Sequence, residues 1–362
     1  MGNFEMKIND IPSNIRQQVK KGVVIPAMPL ALNPDRTFDE MHQRALTRYY
    51  IDAKVGGIAV GVHSTQFQIR ESDIFLFKPV LRLVSRTIDD YCKSKTVVLK
   101  VAGICGKSEQ ALKEADFAVE NGYHAGLLSL AAFANDDILT MIDHCEKVAE
   151  VMPLFGFYLQ PSVGGRILPY RFWRKFVEIE NVLAIKIAPF NRYQTLDVIR
   201  AVCDAGREND IALYTGNDDN IVIDLMTEYR IQTNRGEKSV RIVGGLLGHW
   251  SVWTKNAVDL LKQIHALTES HAPIPPQMLS LAQQITDANA AIFDAANNYH
   301  GCIPGIHEVL KRQGLFKGTW CLDKNEILSP GQAEQIDRVY SSYPQHHDDA
   351  FVRDNLERWL SA

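Results

Sequence analysis

Eight short apolar runs, each followed by a stretch with helical spacing, limit most strongly what this 362-residue chain can fold into. They cover residues 23–27 (VVIPA), 57–61 (GIAVG), 96–101 (TVVLKV), 125–130 (AGLLSL), 154–159 (LFGFYL), 182–187 (VLAIKI), 211–216 (IALYTG) and 240–245 (VRIVGG). Runs of this length, bounded by turn residues, read as strands buried on both faces. Their alternation with amphipathic segments reads as repeated βα units. Eight such units close a parallel barrel, so the predicted fold class is α/β, a (β/α)8 TIM barrel.

The intervening segments carry helix signals of their own. Thr37 to Glu40 has the form of a capping box ahead of Met41, Ala45, Leu46 and Tyr49. Pro79 stands where a helix could start, and Ser108 opens a helix that Gly122 ends. Asn191 is placed to cap a helix bearing Leu196, Ile199 and Val202. Residues 229–239 (YRIQTNRGEKS) are polar and read as a surface excursion. TESHAPIPP at 268–276 reads as a linker, followed by helices over 277–298, 306–313 and 330–340. The expected organisation is a barrel over residues 1–267 with a C-terminal helical extension over 268–362.

Charge and cysteine usage exclude several classes of function. Lys and Arg number 39 against 43 Asp and Glu, a net charge of −4, with neither a basic footprint for nucleic acid nor a polybasic tail for membranes. No apolar stretch approaches the roughly 20 residues that span a bilayer. Gly2 resembles a myristoylation start, but Met6 stands where Ser or Thr is wanted. The six cysteines are scattered without metal-finger spacing and read as reduced thiols, so a cytoplasmic location is expected.

Barrel active sites gather at the C-terminal ends of the strands. Lys186 lies inside the sixth apolar run, and lysine is almost never buried unless paired or put to work. Desolvation disfavours the ammonium, and a neutral lysine forms Schiff bases with carbonyl substrates. A structural pairing with a carboxylate on a neighbouring strand is the other reading, and strand context leaves both open. Lys100, in TVVLKVAG, competes by the same argument, but no tyrosine or histidine occurs in its strand, which favours a structural role. Tyr158 ends the fifth run, where a phenol within reach of the amine would move protons. Gln160, Gly216 and Gly244, near the ends of runs five, seven and eight, join His63, Ser64 and Thr65 after run two as candidate substrate-binding residues.

FYLQPSVGG followed by VLAIKIAPF resembles the Y-N-x-P…I-x-G-I-K signature of the dihydrodipicolinate synthase and N-acetylneuraminate lyase superfamily, with the same 28-residue Tyr-to-Lys separation. GVVIPAMPL, GGIAVGVHSTQF, YTGNDD and CIPGIHEVLKRQGL resemble further family segments, so the likeness runs from about Gly22 to about Pro344. The resemblance implies a lyase or aldolase that binds pyruvate or a 2-oxo sugar acid as an imine on Lys186. Tyr158 would be its proton shuttle, with neither metal nor organic cofactor. It also implies a homo-oligomer, a dimer or tetramer. The family's carboxylate-binding threonines fall on His63 and Ser64, or on Ser64 and Thr65 after a one-residue shift.

Departures narrow the substrate. Phe133 stands where the synthases have a relay tyrosine, and Val163 where they have an arginine for a second carboxylate, with Arg166 three residues on. A sugar-acid aldolase, lyase or dehydratase is therefore favoured over lysine-biosynthesis chemistry. Three other readings compete. The glycines of IVGGLLGHW suit a phosphate, but the two carboxylates of GNDDN would repel it. His63, His249 and Asp218 are metal-ligand types, yet the first strand ends in PAMPL, without a ligand. A non-catalytic barrel that binds a 2-oxo acid as a sensor is the remaining alternative.

Overall fold

The computed structural model describes residues 4–92, 97–270 and 272–361; Gly2, Thr96 and His271 lie outside them. Its strands are β1 (Val24–Pro26), β2 (Gly57–Val60), β3 (Leu99–Ile104), β4 (Ala125–Leu128), β5 (Leu154–Leu159), β6 (Val182–Ala188), β7 (Ala212–Thr215), β8 (Glu228–Thr233) and β9 (Gly236–Leu247). All but β8 form a nearly closed parallel (β/α)8 barrel, as the eight apolar runs require. Further helices follow it in the chain, at Gln277–Ile292, Cys302–Arg312, Gln332–Ser342 and Asp349–Leu360. Among the described residues, no helix is long and apolar enough to cross a membrane.

The chain divides into two compact units: the described residues up to Val23 with Leu99–Leu246, and Val24–Val98 with the residues from Leu247 onward. The expected boundary at 267/268 falls inside the helix Thr254–Glu269 of the second unit.

In the first unit, β3, β4, β5, β6, β7 and β9 pair in that order, all parallel. Lateral neighbours share a face, and successive residues alternate between faces. One face is covered by helices: a Cβ on Gly156 would meet the Phe176 ring of the helix Tyr170–Phe176, and one on Gly126 would meet Met152. The opposite face, the inner one of the barrel, carries Phe155, Phe157, Lys186 and Tyr214. Phe155 and Tyr214 meet edge-to-face at 5.3 Å between centroids. The helix Arg192–Ala205 starts where expected, because the Asn191 side chain accepts from the amides of Tyr193 and Gln194.

The polar excursion at 229–239 is a β-hairpin. β8 pairs antiparallel with the start of β9, and the turn closes on Gly236 at φ +96°. Its Tyr229, Ile231 and Thr233 alternate with more exposed residues, the period of a strand that water wets on one side.

In the second unit, β1 and β2 join through a parallel bridge between Ala27 and Ala59. The helix Glu40–Asp52 is capped by Asp39, whose carboxylate accepts the His42 amide, and not by Thr37. Buried Asp348 ties three segments together: it accepts from the Tyr49 hydroxyl (2.7 Å), the Lys255 amide (2.9 Å) and the Gln313 side chain (2.8 Å).

Candidate active site around Lys186

Every residue of β6 is buried, and Lys186 is only 8 % exposed. Strand pairing sets Phe157 on one side of it and Tyr214 on the other. The amine lies over the Phe157 ring, 4.6 Å from its centroid. Burial pushes the lysine pKa down to about 8, and the Asp218 carboxylate opposes that shift. Room for the lysine stem depends on Gly216, where a Cβ would stand 2.6 Å from Lys186 Cε and 2.7 Å from Ala188 Cβ. Lys100 has the opposite setting. It alternates with Val101, which pairs with Ala125 on the inner face, so it lies on the helix-covered side of β3.

Tyr158 does not accompany the amine. Leu154 pairs with Val182, but Phe155 pairs with Ala184, so Leu183 is passed over and the register moves by one residue. A one-residue slip exchanges the faces of every side chain beyond it. Phe157 therefore stands opposite Lys186, and Tyr158 pairs with Ile187 on the helix-covered face. There its ring packs on Trp173 at 5.4 Å, and its hydroxyl accepts the Leu168 amide at 3.1 Å. Burial raises its pKa to about 12, the hydrogen bond from Leu168 offsetting part of the rise. The expected tyrosine–lysine pair is thus not brought together, although the spacing in sequence is the one anticipated.

The loop after β7 supplies the polar groups instead. The Asp218 amide donates to the Gly216 carbonyl (3.1 Å), turning the loop tightly, and Asp218 is 5 % exposed. Asn217 Oδ1 accepts the Phe190 amide at 3.0 Å, joining this loop to the end of β6. Asp224 anchors the assembly. Its carboxylate accepts from Thr215 (2.8 Å), Asn217 (2.9 Å) and Asn220 (2.8 Å), and pairs with Arg192 at 2.7 Å. Arg192 also reaches Asp219 at 3.5 Å; burial raises the Asp219 pKa, and the guanidinium works against that rise. Asp224 escaped the sequence reading because it sits within the apolar helix Ile221–Met226. A lone carboxylate inside such a segment was the available signal.

The remaining candidates of the first unit are scattered in role. Gln160 is buried at the end of β5 and precedes the turn Pro161–Val163. Gly244 pairs with Tyr214, and a Cβ there would meet the Tyr214 ring at 2.7 Å and the Val23 carbonyl at 2.6 Å. Arg166 is bonded to the carbonyls of Phe133 and Asp136, and Phe133 packs on His144 at 4.4 Å.

In the second unit, the loop His63–Thr65 is a short 3-10 turn whose hydroxyls are engaged with the end of the first strand. Ser64 donates to the Ala27 carbonyl and Thr65 to the Met28 carbonyl, each at 2.7 Å. Thr65 also accepts the Gly61 and Val62 amides. His249 is buried beside Trp253 and Asn289, and burial lowers its pKa to about 4. Among the described residues, no group of three or more His, Cys, Asp or Glu gathers closely enough to hold a metal ion.

No family model and no curated protein sequence matches the chain. Solved structures do. Dihydrodipicolinate synthase from Oceanobacillus iheyensis aligns with a TM-score of 0.71 at 14 % identity, covering 91 % of this chain and 99 % of that one. The synthase from Acinetobacter baumannii, complexed with pyruvate, gives 0.71 at 15 % identity over 89 % and 99 %. N-acetylneuraminate lyase from Fusobacterium nucleatum, also complexed with pyruvate, gives 0.67 at 17 % identity over 91 % and 99 %. The chain thus has the fold of the dihydrodipicolinate synthase and N-acetylneuraminate lyase structures.

Proposed function

We infer that the chain is a lyase or aldolase of 2-oxo acids that captures the ketone as an imine on Lys186. The observation carrying this reading is the amine itself: nine-tenths buried, on the inner face of a barrel strand, and lowered in pKa by desolvation. Near pH 8 a substantial fraction of such an amine is neutral and nucleophilic, whereas an ordinary lysine is not. The fold supports the reading, since structures sharing it have been obtained with pyruvate bound. The carboxylate of Asp218, buried in the loop that follows Gly216, suits the hydroxyls of a sugar acid better than a second anion. A carboxylate-holding role for His63, Ser64 and Thr65 rests on the resemblance alone.

The outward-turned Tyr158 favours a second reading, a barrel that captures a 2-oxo acid as the Lys186 imine without turning it over. Both are tested by reducing the protein with borohydride in the presence of pyruvate and other 2-oxo acids, then weighing it intact. Irreversible mass gain that Lys186→Ala abolishes, together with release of an aldehyde or dehydrated product from a sugar acid, supports the enzyme. Mass gain without turnover of any sugar acid supports the binding protein. No mass gain refutes both.

A further inference from the structure

We propose that Asp218 exchanges protons with the Lys186 amine and the substrate during imine formation, in the place a tyrosine would otherwise take. This rests on the reading of Lys186 as the imine-forming residue and adds the group that completes its chemistry.

The strand register leaves the amine without an uncommitted phenol at its side. Phe157 faces it from β5 and has no proton to give. Tyr214 flanks it on β7, but its hydroxyl is committed to the Val19 carbonyl at 2.9 Å and wholly buried. Tyr158 is on the other face, engaged with Leu168. Above Lys186 come Ala188 and Gly216, neither with a polar side chain. The loop that follows directly from Gly216 then folds back through the Asp218 amide, setting the buried Asp218 two residues beyond the glycine that lies against the lysine stem. That loop is rigidly held, because Asn217 is tied both to the end of β6 and to Asp224. The charge of Asp218 is felt at the amine, consistent with this placement.

The step balances without an outside reagent. Asp218 takes one proton from the ammonium, leaving a neutral amine whose lone pair forms the C–N bond to the ketone carbon. The carbonyl π pair moves to oxygen, which receives that proton from Asp218. The carboxylate then takes a second proton from the carbinolamine nitrogen and passes it to the hydroxyl. The C–O bond breaks, water leaves, and a protonated imine faces the regenerated carboxylate. Lysine ammonium, aspartate and ketone become iminium, aspartate and one water.

Asp218→Asn separates proton transfer from simple electrostatics, because the two act in opposite directions. Removing the charge makes the amine easier to deprotonate, so a purely electrostatic Asp218 predicts imine trapping at neutral pH that is unchanged or faster. A proton-transferring Asp218 predicts trapping slower by about 10²-fold or more, the usual worth of a positioned acid–base. The measurement is the initial rate of pyruvate-dependent mass gain under cyanoborohydride, with thermal melting to confirm the fold. Should Asp218→Asn not fold, Asp218→Ala is assayed with added formate: a rate that climbs with formate supports the proposal, and one indifferent to it overturns it. If the wild type gains no mass, the imine reading itself falls and this proposal with it. If the wild type is trapped and Asp218→Asn matches or exceeds it, only the role of Asp218 is overturned.

Discussion

Phe157 and Lys186 face each other across β5 and β6, the amine 4.6 Å from the ring centroid, so the residue beside the amine on β5 is a phenylalanine and not a tyrosine. The ring desolvates the amine on that side and attracts it when protonated. It also fills the position in which the one-residue-earlier register would have put Tyr158.

Tyr158→Phe tests that consequence. The variant keeps the ring against Trp173 but removes the acceptor for the Leu168 amide. An orphaned buried donor costs about 1–3 kcal/mol. Stability in urea should therefore fall by that order, while imine trapping and turnover stay within about twofold of wild type. A loss of turnover by about 10²-fold or more, the effect of deleting a positioned acid–base, would place the phenol in the chemistry after all.

The spacing between Tyr158 and Lys186 is legible in the sequence; which face each occupies is not. Leu183 differs in no visible way from its apolar neighbours, so nothing in VLAIKI marks the residue that the pairing passes over. The eight strands were legible because burial on both faces demands continuous apolar runs. Lys186 stood out because it violates that demand. β8 was missed because its exposed alternation is weak beside the polar character of 229–239, and the Asp39 cap was missed because Thr37 imitates one.

Gly216→Ala should disturb the lysine more than the fold. The new Cβ would lie 2.6 Å from Lys186 Cε, and the flexible stem is the part able to move. Trapping by pyruvate should slow by about 10-fold or more, the scale of a displacement near 1 Å at a reacting group. Thermal stability compared in the Lys186→Ala background, where that clash is relieved, should fall less than in the native background. Equal losses in both backgrounds would mean that Ala188, and not the lysine, sets the limit.

Asp224→Ala leaves Arg192, Thr215, Asn217 and Asn220 without their shared acceptor. Arg192 is half-exposed and keeps Asp219, so the cost comes chiefly from the orphaned buried donors, about 1–3 kcal/mol each. The denaturation midpoint should fall accordingly, and imine trapping should slow in the material that remains folded, because Asn217 no longer fixes the loop carrying Asp218. A midpoint within about 1 kcal/mol of wild type would contradict the network's assigned weight.

Acid should destabilise the protein well before its carboxylates titrate. Burial lowers the pKa of His144, His249 and His307 to about 4 each. In the unfolded chain each returns to about 6.5. Below that value the unfolded state binds protons the folded state refuses, so these residues subtract stability as pH falls from about 6.5 toward 4. Stability should be nearly level around pH 7 and should drop by a few kcal/mol per imidazole by about pH 4.5, since a tenfold change in proton affinity is worth about 1.36 kcal/mol. A denaturation midpoint constant or rising over that interval would show the imidazoles to be protonated in the fold.

Lys186, and not Lys100, should be the nucleophile. Pyruvate should be fixed by borohydride, the protein digested, and the modified peptide sequenced by mass spectrometry. The reduced adduct should appear on the β6 peptide at Lys186, whose amine faces the barrel interior beside Phe157, and not on the β3 peptide. An adduct on Lys100, or no adduct at all, would contradict that assignment.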